Sequence, residues 1–321
     1  MRAIQVKEFG GPEVLVPADL PDPVPGPGEV LIEVSFVDTI FVETQIRAGG
    51  VRDHFTVTPP YVPGGGVSGT VAALGPDVPG EWLGRRVASF VQGGYASRAV
   101  AATDALTVVP DTLDLLPAAA LVHDGVTATG LVELTSVTSA DRVLILGASG
   151  GMGTLLVQLA ARARGAHVVA LARGAEKLAL VRELGASAAV DLTAADWPSR
   201  ARAALGGAAD VVLDGVGGEP GATAFALTAD GGRFSAHGAP TGGFATVDTQ
   251  EAHRRDVRLL GIADVQFPAP DIQRLRAHAS QEAAAGRLRP VVGAVFPLEE
   301  ASAAHAAVEG RHLTGKVVLR V

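Results

Sequence analysis

The stretch RVLILGASGGMGTLLVQLA, residues 142–160, decides how this chain is read. An apolar run, Val143 to Leu146, leads straight into the glycines of GASGGMG, Gly147 to Gly153, and an amphipathic segment follows at once. Strand, glycine turn and helix in that order make a phosphate cradle. The glycines let backbone amides approach a pyrophosphate, and the helix N-terminus offers unpaired N–H groups at its positive dipole end. Ser149 adds a hydroxyl donor with little bulk. Leu155, Leu156, Leu159 and Ala163 are expected on the buried face of the helix.

The next strand, HVVALA, ends at Ala172 and is followed by RGAEK, residues 173–177. An NAD site places Asp or Glu at this strand end to accept from the ribose 2′-hydroxyl. Here Arg173 and Lys177 stand where a 2′-phosphate needs cations, in a chain whose other lysines are Lys7 and Lys316. The cofactor expected is NADPH rather than NADH.

Further along, AEKLALVRELG reads as a helix, AAVDL and DVVLDG as strands, GATAFALTA as a helix, and GRFSAHGA as a strand. Near-continuous apolar strands separated by helices predict a parallel sheet covered on both faces. The first hundred or so residues differ. EVLIEVSFV, GVSGTVAALG and RRVASF read as short strands, broken by the proline-rich LPDPVPGPGE and TPPYVPGGG, which suggests a barrel-like β unit. Asp114 is placed to cap a helix that begins near Leu115, with Pro117 in its first turn. The last sixty or so residues, from the Ala-rich helix PDIQRLRAHASQEAAAG to the strand GKVVLRV, read as a return to that first domain.

At 321 residues, two domains are expected. Hydrophobic residues at 48% against 19% charged suit a well-buried α/β protein, and a net charge of −8 argues against a nucleic-acid partner. The absence of cysteine excludes disulfides and Cys-ligated zinc or iron–sulfur centres. The N-terminus, MRAIQVKEFGG, has no apolar core of a signal peptide, and no apolar run reaches the ~20 residues of a membrane span, so a cytoplasmic protein is expected.

The chain resembles the zinc-independent medium-chain dehydrogenase/reductases, in the quinone oxidoreductase (zeta-crystallin-like) branch. The resemblance is carried by MRAIQVKEFGGPEVL, PGPGEVLIEV, PPYVPGGGVSGTV, AAALVHDGVTATGLVEL, the opening stretch, DVVLDGVGG and FPLEEASAAHAAVEGRHLTGKVVL. It implies a GroES-like β-barrel catalytic domain over residues 1–120 and 264–321, and a Rossmann doubly wound parallel sheet over 121–263. It also implies a cofactor in the cleft and a homodimer formed through Rossmann sheet edges. By the same resemblance, Thr127 approaches the phosphates or nicotinamide, and Ser149, Gly150, Gly151, Met152 and Gly153 hold the pyrophosphate. Arg173 and Lys177 hold the 2′-phosphate, while Gly215, Val216, Gly238 and Ala263 line the ribose and nicotinamide. Zinc-dependent relatives carry Cys where Ile40 stands and Gly-His-Glu where PGGGVSG stands, so no catalytic zinc is expected.

The implied reaction is hydride transfer from NADPH to a quinone or an α,β-unsaturated carbonyl, with an enoyl-thioester or natural-product tailoring reductase as one alternative. A non-catalytic NADPH-binding protein, crystallin-like or regulatory, is the other. Solvent can supply the proton for the main reaction, so no side chain is assigned as catalytic acid. His54, Tyr61, Asp38 and Glu43 are weak candidates. Tyr61 is expected to shape a loop, and Tyr95 to pack in the barrel. Asp38 and Glu43 are read as following the first strand and bonding to backbone, and His123 and Asp124 as a cap and a buried hydrogen bond.

Overall fold

The computed structural model describes residues 1–50 and 56–321, so the candidate His54 lies outside the described residues. The chain divides into two compact units: Met1–Val126 with Ala269–Gly286 and Pro290–Val321, and Thr127–Pro268 with Arg287–Arg289. These divisions fall a few residues beyond the expected 120/121 and 263/264.

The first unit opens with β1 (Arg2–Val6), β2 (Leu15–Asp19), β3 (Glu29–Thr39), α1 (Phe41–Ala48) and β4 (Gly66–Leu74). It continues with β5 (Arg86–Phe90), β6 (Arg98–Ala102), β7 (Leu106–Val108) and α2 (Leu115–Leu121). After α3 (Asp124–Leu134) the second unit carries β8 (Arg142–Leu146), α4 (Gly151–Gln158), β9 (His167–Ala172), α5 (Ala175–Glu183) and β10 (Ala188–Asp191). Then come α6 (Trp197–Leu205), β11 (Ala209–Asp214), α7 (Gly218–Ala226), β12 (Thr228–Ala236), α8 (Thr249–Arg254) and β13 (Arg258–Leu260). The chain closes with α9 (Ala269–Ala284), β14 (Val292–Pro297), α10 (Ala301–Gly310) and β15 (Lys316–Arg320).

In the first unit the sheet runs β14-β15-β3-β4-β5-β7, with β6 also paired to β3 and β1–β2 forming a separate ribbon. Val30, Leu31, Ile32 and Val34 of β3 are buried while Glu33 is exposed. The register against β4 shifts between Val34 and Phe36, and beyond it Val37, Asp38 and Thr39 are all buried. A bulge of this kind re-aims the side chains that follow it. Antiparallel β15 pairs with this far end of β3, with Val318 opposite Asp38.

In the second unit all six strands are parallel, in the order β10-β9-β8-β11-β12-β13. Counting from β8 this is 3-2-1-4-5-6, the doubly wound order whose crevice opens at the carboxyl ends of β8 and β11. The interior strands are apolar throughout because both faces are covered: Val143 to Leu146, Val168 to Leu171 and Val211 to Leu213 are at most 1% exposed.

Three local expectations are corrected. Residues 41–48, within the segment read as β, form α1. Asp114 precedes α2 as expected, but its side chain makes no capping bond. Ala163 is exposed, unlike Leu155, Leu156 and Leu159, because the end of that helix, Leu159–Ala163, is a π-helical turn. Its wider winding carries Ala163 off the 3.6-residue stripe.

Candidate active site

In the second unit, β8 delivers the chain to Gly147, whose φ of 70° requires glycine and starts the turn. The turn is held by Ala148 N–H donating to Leu171 O (3.1 Å) and Gly150 N–H donating to Gly147 O (3.0 Å). A Cβ on Gly153 would lie 2.2 Å from Gly147 O and 2.8 Å from Ala148 backbone atoms, so the helix packs on the turn backbone to backbone. Gly150 is exposed, and its ideal Cβ would meet only Gly147 O, at 3.5 Å. Gly150 is also the N-cap of α4 and has no side chain to cap it, so the first-turn amides of Gly151, Met152 and Gly153 keep their donors. Ser149 is 8% exposed.

The neighbouring strand ends are shaped by Asp214. Its buried Oδ1 accepts from the amides of Val216 and Gly217, both at 2.9 Å, and its carbonyl accepts from those of His237 and Gly238, both at 3.1 Å. A Cβ on Gly238 would lie 2.3 Å from Gly215 O, so these two turns also touch backbone to backbone. His237 lies beneath them; burial lowers its pKa to about 4, so the ring is neutral.

Arg173 follows β9 directly and is exposed; Lys177 is half-buried in the first turn of α5. Burial, and then the charge of Arg173, lower the Lys177 pKa below its ordinary value. An anion placed there would relieve that repulsion. Asp191, at the end of β10, is bound by Thr193 through N–H (2.9 Å) and Oγ1 (2.7 Å). These bonds, with a smaller contribution from the Gly174 amide, hold its carboxyl below the usual range. A carboxylate therefore approaches this corner from the third strand, which sequence spacing did not reveal.

The first unit holds a buried polar cluster. Asp38 is 0% exposed, and its Oδ2 takes both His123 Nδ1 (2.8 Å) and Lys316 Nζ (3.3 Å). Lys316 Nζ also meets Asp124 Oδ1 at 3.1 Å. Burial opposes ionisation of Asp38, but His123 and then Lys316 overcome it and hold its pKa below the ordinary value. Burial likewise opposes the Lys316 charge, and Asp124 and Asp38 overcome it.

Glu43, in α1, accepts from Gly65 N–H at Oε1 (3.0 Å) and from Ile40 N–H (3.3 Å) and Tyr95 Oη (3.0 Å) at Oε2. Burial, and then the charge of Asp38, raise its pKa to about 7. Tyr95 Oη also meets His305 Nε2 at 2.9 Å, and Arg47 Nη1 meets His305 Nδ1 at 3.4 Å. Arginine only donates, so His305 Nδ1 accepts, Nε2–H donates to Tyr95, and the tyrosine hydroxyl donates to Glu43. That direction agrees with a neutral His305, whose pKa burial and then Arg47 push down to about 3.

Two sequence-family models match the chain: an alcohol dehydrogenase GroES-like domain over residues 26–111, and a zinc-binding dehydrogenase over 184–319. The quinone oxidoreductase of Mus musculus is 32% identical over 99% of this chain and 97% of its own. A 2-haloacrylate reductase of a Burkholderia species is 30% identical over 99% of this chain and 98% of its own. A mycobacterial protein solved in complex with NADPH superposes with a TM-score of 0.92 at 32% identity, covering all of both chains. The chain belongs to the quinone oxidoreductase family of medium-chain dehydrogenase/reductases.

For an oxidoreductase of this family, the cradle is tested by its own geometry. Close backbone packing at Gly153 and Gly238, an open face at Gly150 and a paired Arg173–Lys177 corner fit a dinucleotide with an extra phosphate. Among the described residues no group of three or more His, Cys, Asp or Glu is placed to hold a metal ion. No single helix there is long and apolar enough to cross a membrane.

The sequence candidates fall into two groups. In the second unit, Ser149 to Gly153, Gly215, Val216 and Gly238 cluster at the carboxyl ends of β8, β11 and β12, and Arg173 and Lys177 sit just beyond β9. Thr127 lies in α3 and is half-buried; Ala263 lies exposed in a short turn, Ile262–Val265.

In the first unit, Asp38 lies within β3 rather than after it, and bonds to side chains rather than to backbone. The bulge and the return of β15 bring it to His123 and Lys316. Tyr61 pairs in an isolated bridge with Val6, and its buried hydroxyl has no hydrogen-bond partner among the described residues. Burial, and then Glu43, push its pKa to about 12. Tyr95 is fully buried as expected, and its hydroxyl is the hub of the polar cluster. Sequence reading missed Asp214, His237, His305 and Lys316. Only the GGG at residues 64–66 signalled the cluster: glycines there stand against Tyr95, His123 and Asp38.

Proposed function

We propose that this chain is an NADPH-dependent, zinc-free reductase of a quinone or an α,β-unsaturated carbonyl. The observation that carries the reading is the cradle at Gly147–Gly153, joined to the paired cations Arg173 and Lys177. Amides of the first turn of α4 would hold the pyrophosphate, with Ser149 adding a hydroxyl. Arg173 and Lys177 would take the 2′-phosphate. Gly215, Val216, Gly238, Thr127 and Ala263 would border the ribose and nicotinamide. Bound NADPH supplies the hydride; the protein supplies position.

The quinone reductase relative supports one acceptor class, and the 2-haloacrylate reductase, named for an electron-poor alkene, supports the other. Zinc is left out because Ile40 and PGGGVSG offer no ligands at the two places where zinc-dependent relatives carry them. A cytoplasmic homodimer belongs to the same reading, with β10 and β13, the terminal strands of the parallel sheet, as the edges available for pairing.

The test is a fluorescence titration with NADPH and NADH, followed by a screen of quinones and enones for NADPH oxidation. Tight NADPH binding with turnover of either class supports the reading. Binding with no turnover on any acceptor leaves a nucleotide-binding protein without reductase activity.

A further inference from the structure

We propose that His123 is the proton donor when the acceptor is a carbon–carbon double bond, and that Asp38 and Lys316 are the residues that position it. The proposal rests on the reductase reading above.

A fully buried carboxylate is costly unless it is paired and hydrogen-bonded. Asp38 is 0% exposed and directs one oxygen at both His123 Nδ1 (2.8 Å) and Lys316 Nζ (3.3 Å). His123, by contrast, is 23% exposed, so the pair runs from the interior outward and ends at the imidazole. The ring packs on Phe90, with centroids 4.5 Å apart.

The chain gives up two side chains to make room. A Cβ on Gly66 would lie 2.4 Å from Asp38 Oδ1 and 2.8 Å from His123 Nδ1. A Cβ on Gly65 would lie 3.2 Å from both His123 Cε1 and Nε2. With Nδ1–H committed to Asp38, Nε2 is the nitrogen left to exchange a proton. An orienting carboxylate, an imidazole and one free nitrogen are the parts of a general acid–base device.

Asp38 from β3 bonds the ring, Lys316 from β15 joins that same carboxylate oxygen to Asp124 of α3, and the ring lies within electrostatic reach of Glu43 from α1. His123 also lies four residues before Thr127, the position that the family resemblance gives to the cofactor.

The step balances as follows. The substrate accepts a hydride at its β-carbon, and the π electron pair moves to the α-carbon. The Nε2–H bond breaks and its proton goes to that α-carbon. The alkene is reduced by two electrons, NADPH is oxidised by two, and neutral His123 regains a proton from solvent. A quinone gains its protons on oxygen, where water serves, so His123 matters less for that acceptor.

The experiment compares the wild-type chain with H123Q and D38N, using NADPH with one enone and one quinone. NADPH titration of each variant reports an intact fold. H123Q is expected to lose ~100-fold or more in kcat on the enone, the low end of what a general acid contributes, and little on the quinone. D38N is expected to fall in between. A readout without turnover is the ¹⁵N spectrum of the uncomplexed protein: the neutral His123 ring should carry its proton on Nδ1. A proton on Nε2, or equal losses on both acceptors, overturns the donor role. A wild-type chain active on enones with an equally active H123Q refutes the donor alone. A wild-type chain that turns over no acceptor refutes the reductase reading and takes the donor with it.

Discussion

Replacing Glu43 with Gln should remove a pH-dependent instability from the first unit. The Glu43 pKa is raised from 4.5 to about 7, first by burial and then by the neighbouring Asp38. Well below pH 4.5 both folded and unfolded chains hold the proton, and the carboxyl is neutral in each. Between 4.5 and about 7 the folded chain keeps a proton that the unfolded chain releases, so stability falls as pH rises. Above pH 7 the whole penalty stands, about 3 kcal/mol at roughly 1.4 kcal/mol per pH unit.

Gln keeps an acceptor for the Gly65 amide and has no proton to lose. The unfolding free energy of wild type relative to E43Q should therefore drop by about 3 kcal/mol between pH 4.5 and pH 8. The chain has two tryptophans, Trp82 in the first unit and Trp197 in the second. Urea unfolding followed by Trp82 fluorescence, in a Trp197→Phe background, reports the first unit by itself. Parallel stability curves for the two proteins across this range would show that Glu43 titrates normally, and the assigned environment would be wrong.

Gly153→Ala puts a Cβ 2.2 Å from Gly147 O, a backbone atom with no easy retreat, and should cost about 1–3 kcal/mol in the second unit and weaken NADPH binding; wild-type melting and affinity would contradict the packing. The double variant R173A/K177A should lose tenfold or more in NADPH affinity, ~1.4 kcal/mol or above, and little in NADH affinity. Equal losses for both nucleotides would remove the 2′-phosphate role. Metal analysis of the purified protein should find no stoichiometric zinc, and one zinc per chain would reverse the reading of Ile40.

The second unit is largely legible in the sequence. Its strands are apolar because both faces are covered, and helices separate them at regular intervals, so strand direction and layer order follow from local pattern. Even there, spacing missed two carboxylates: Asp191, brought beside Gly174 from the next strand, and Asp214, holding the amides of Val216 and Gly217 just after it. Ala163 failed for a smaller reason, because a π-helical turn breaks the period on which the expectation rested.

What the sequence by itself determined is the cradle. Its parts are contiguous, its glycines are required by backbone close to them in the chain, and its donors are backbone amides that any helix start provides. What only the tertiary structure decided is the polar cluster of the first unit. Asp38, Glu43, Tyr95, His123, His305 and Lys316 come from segments far apart in the chain, joined by the bulge in β3 and the antiparallel return of β15. Burial there sets which carboxyl is ionised and which ring is neutral, and burial is a property of the packed chain that no short stretch of residues carries.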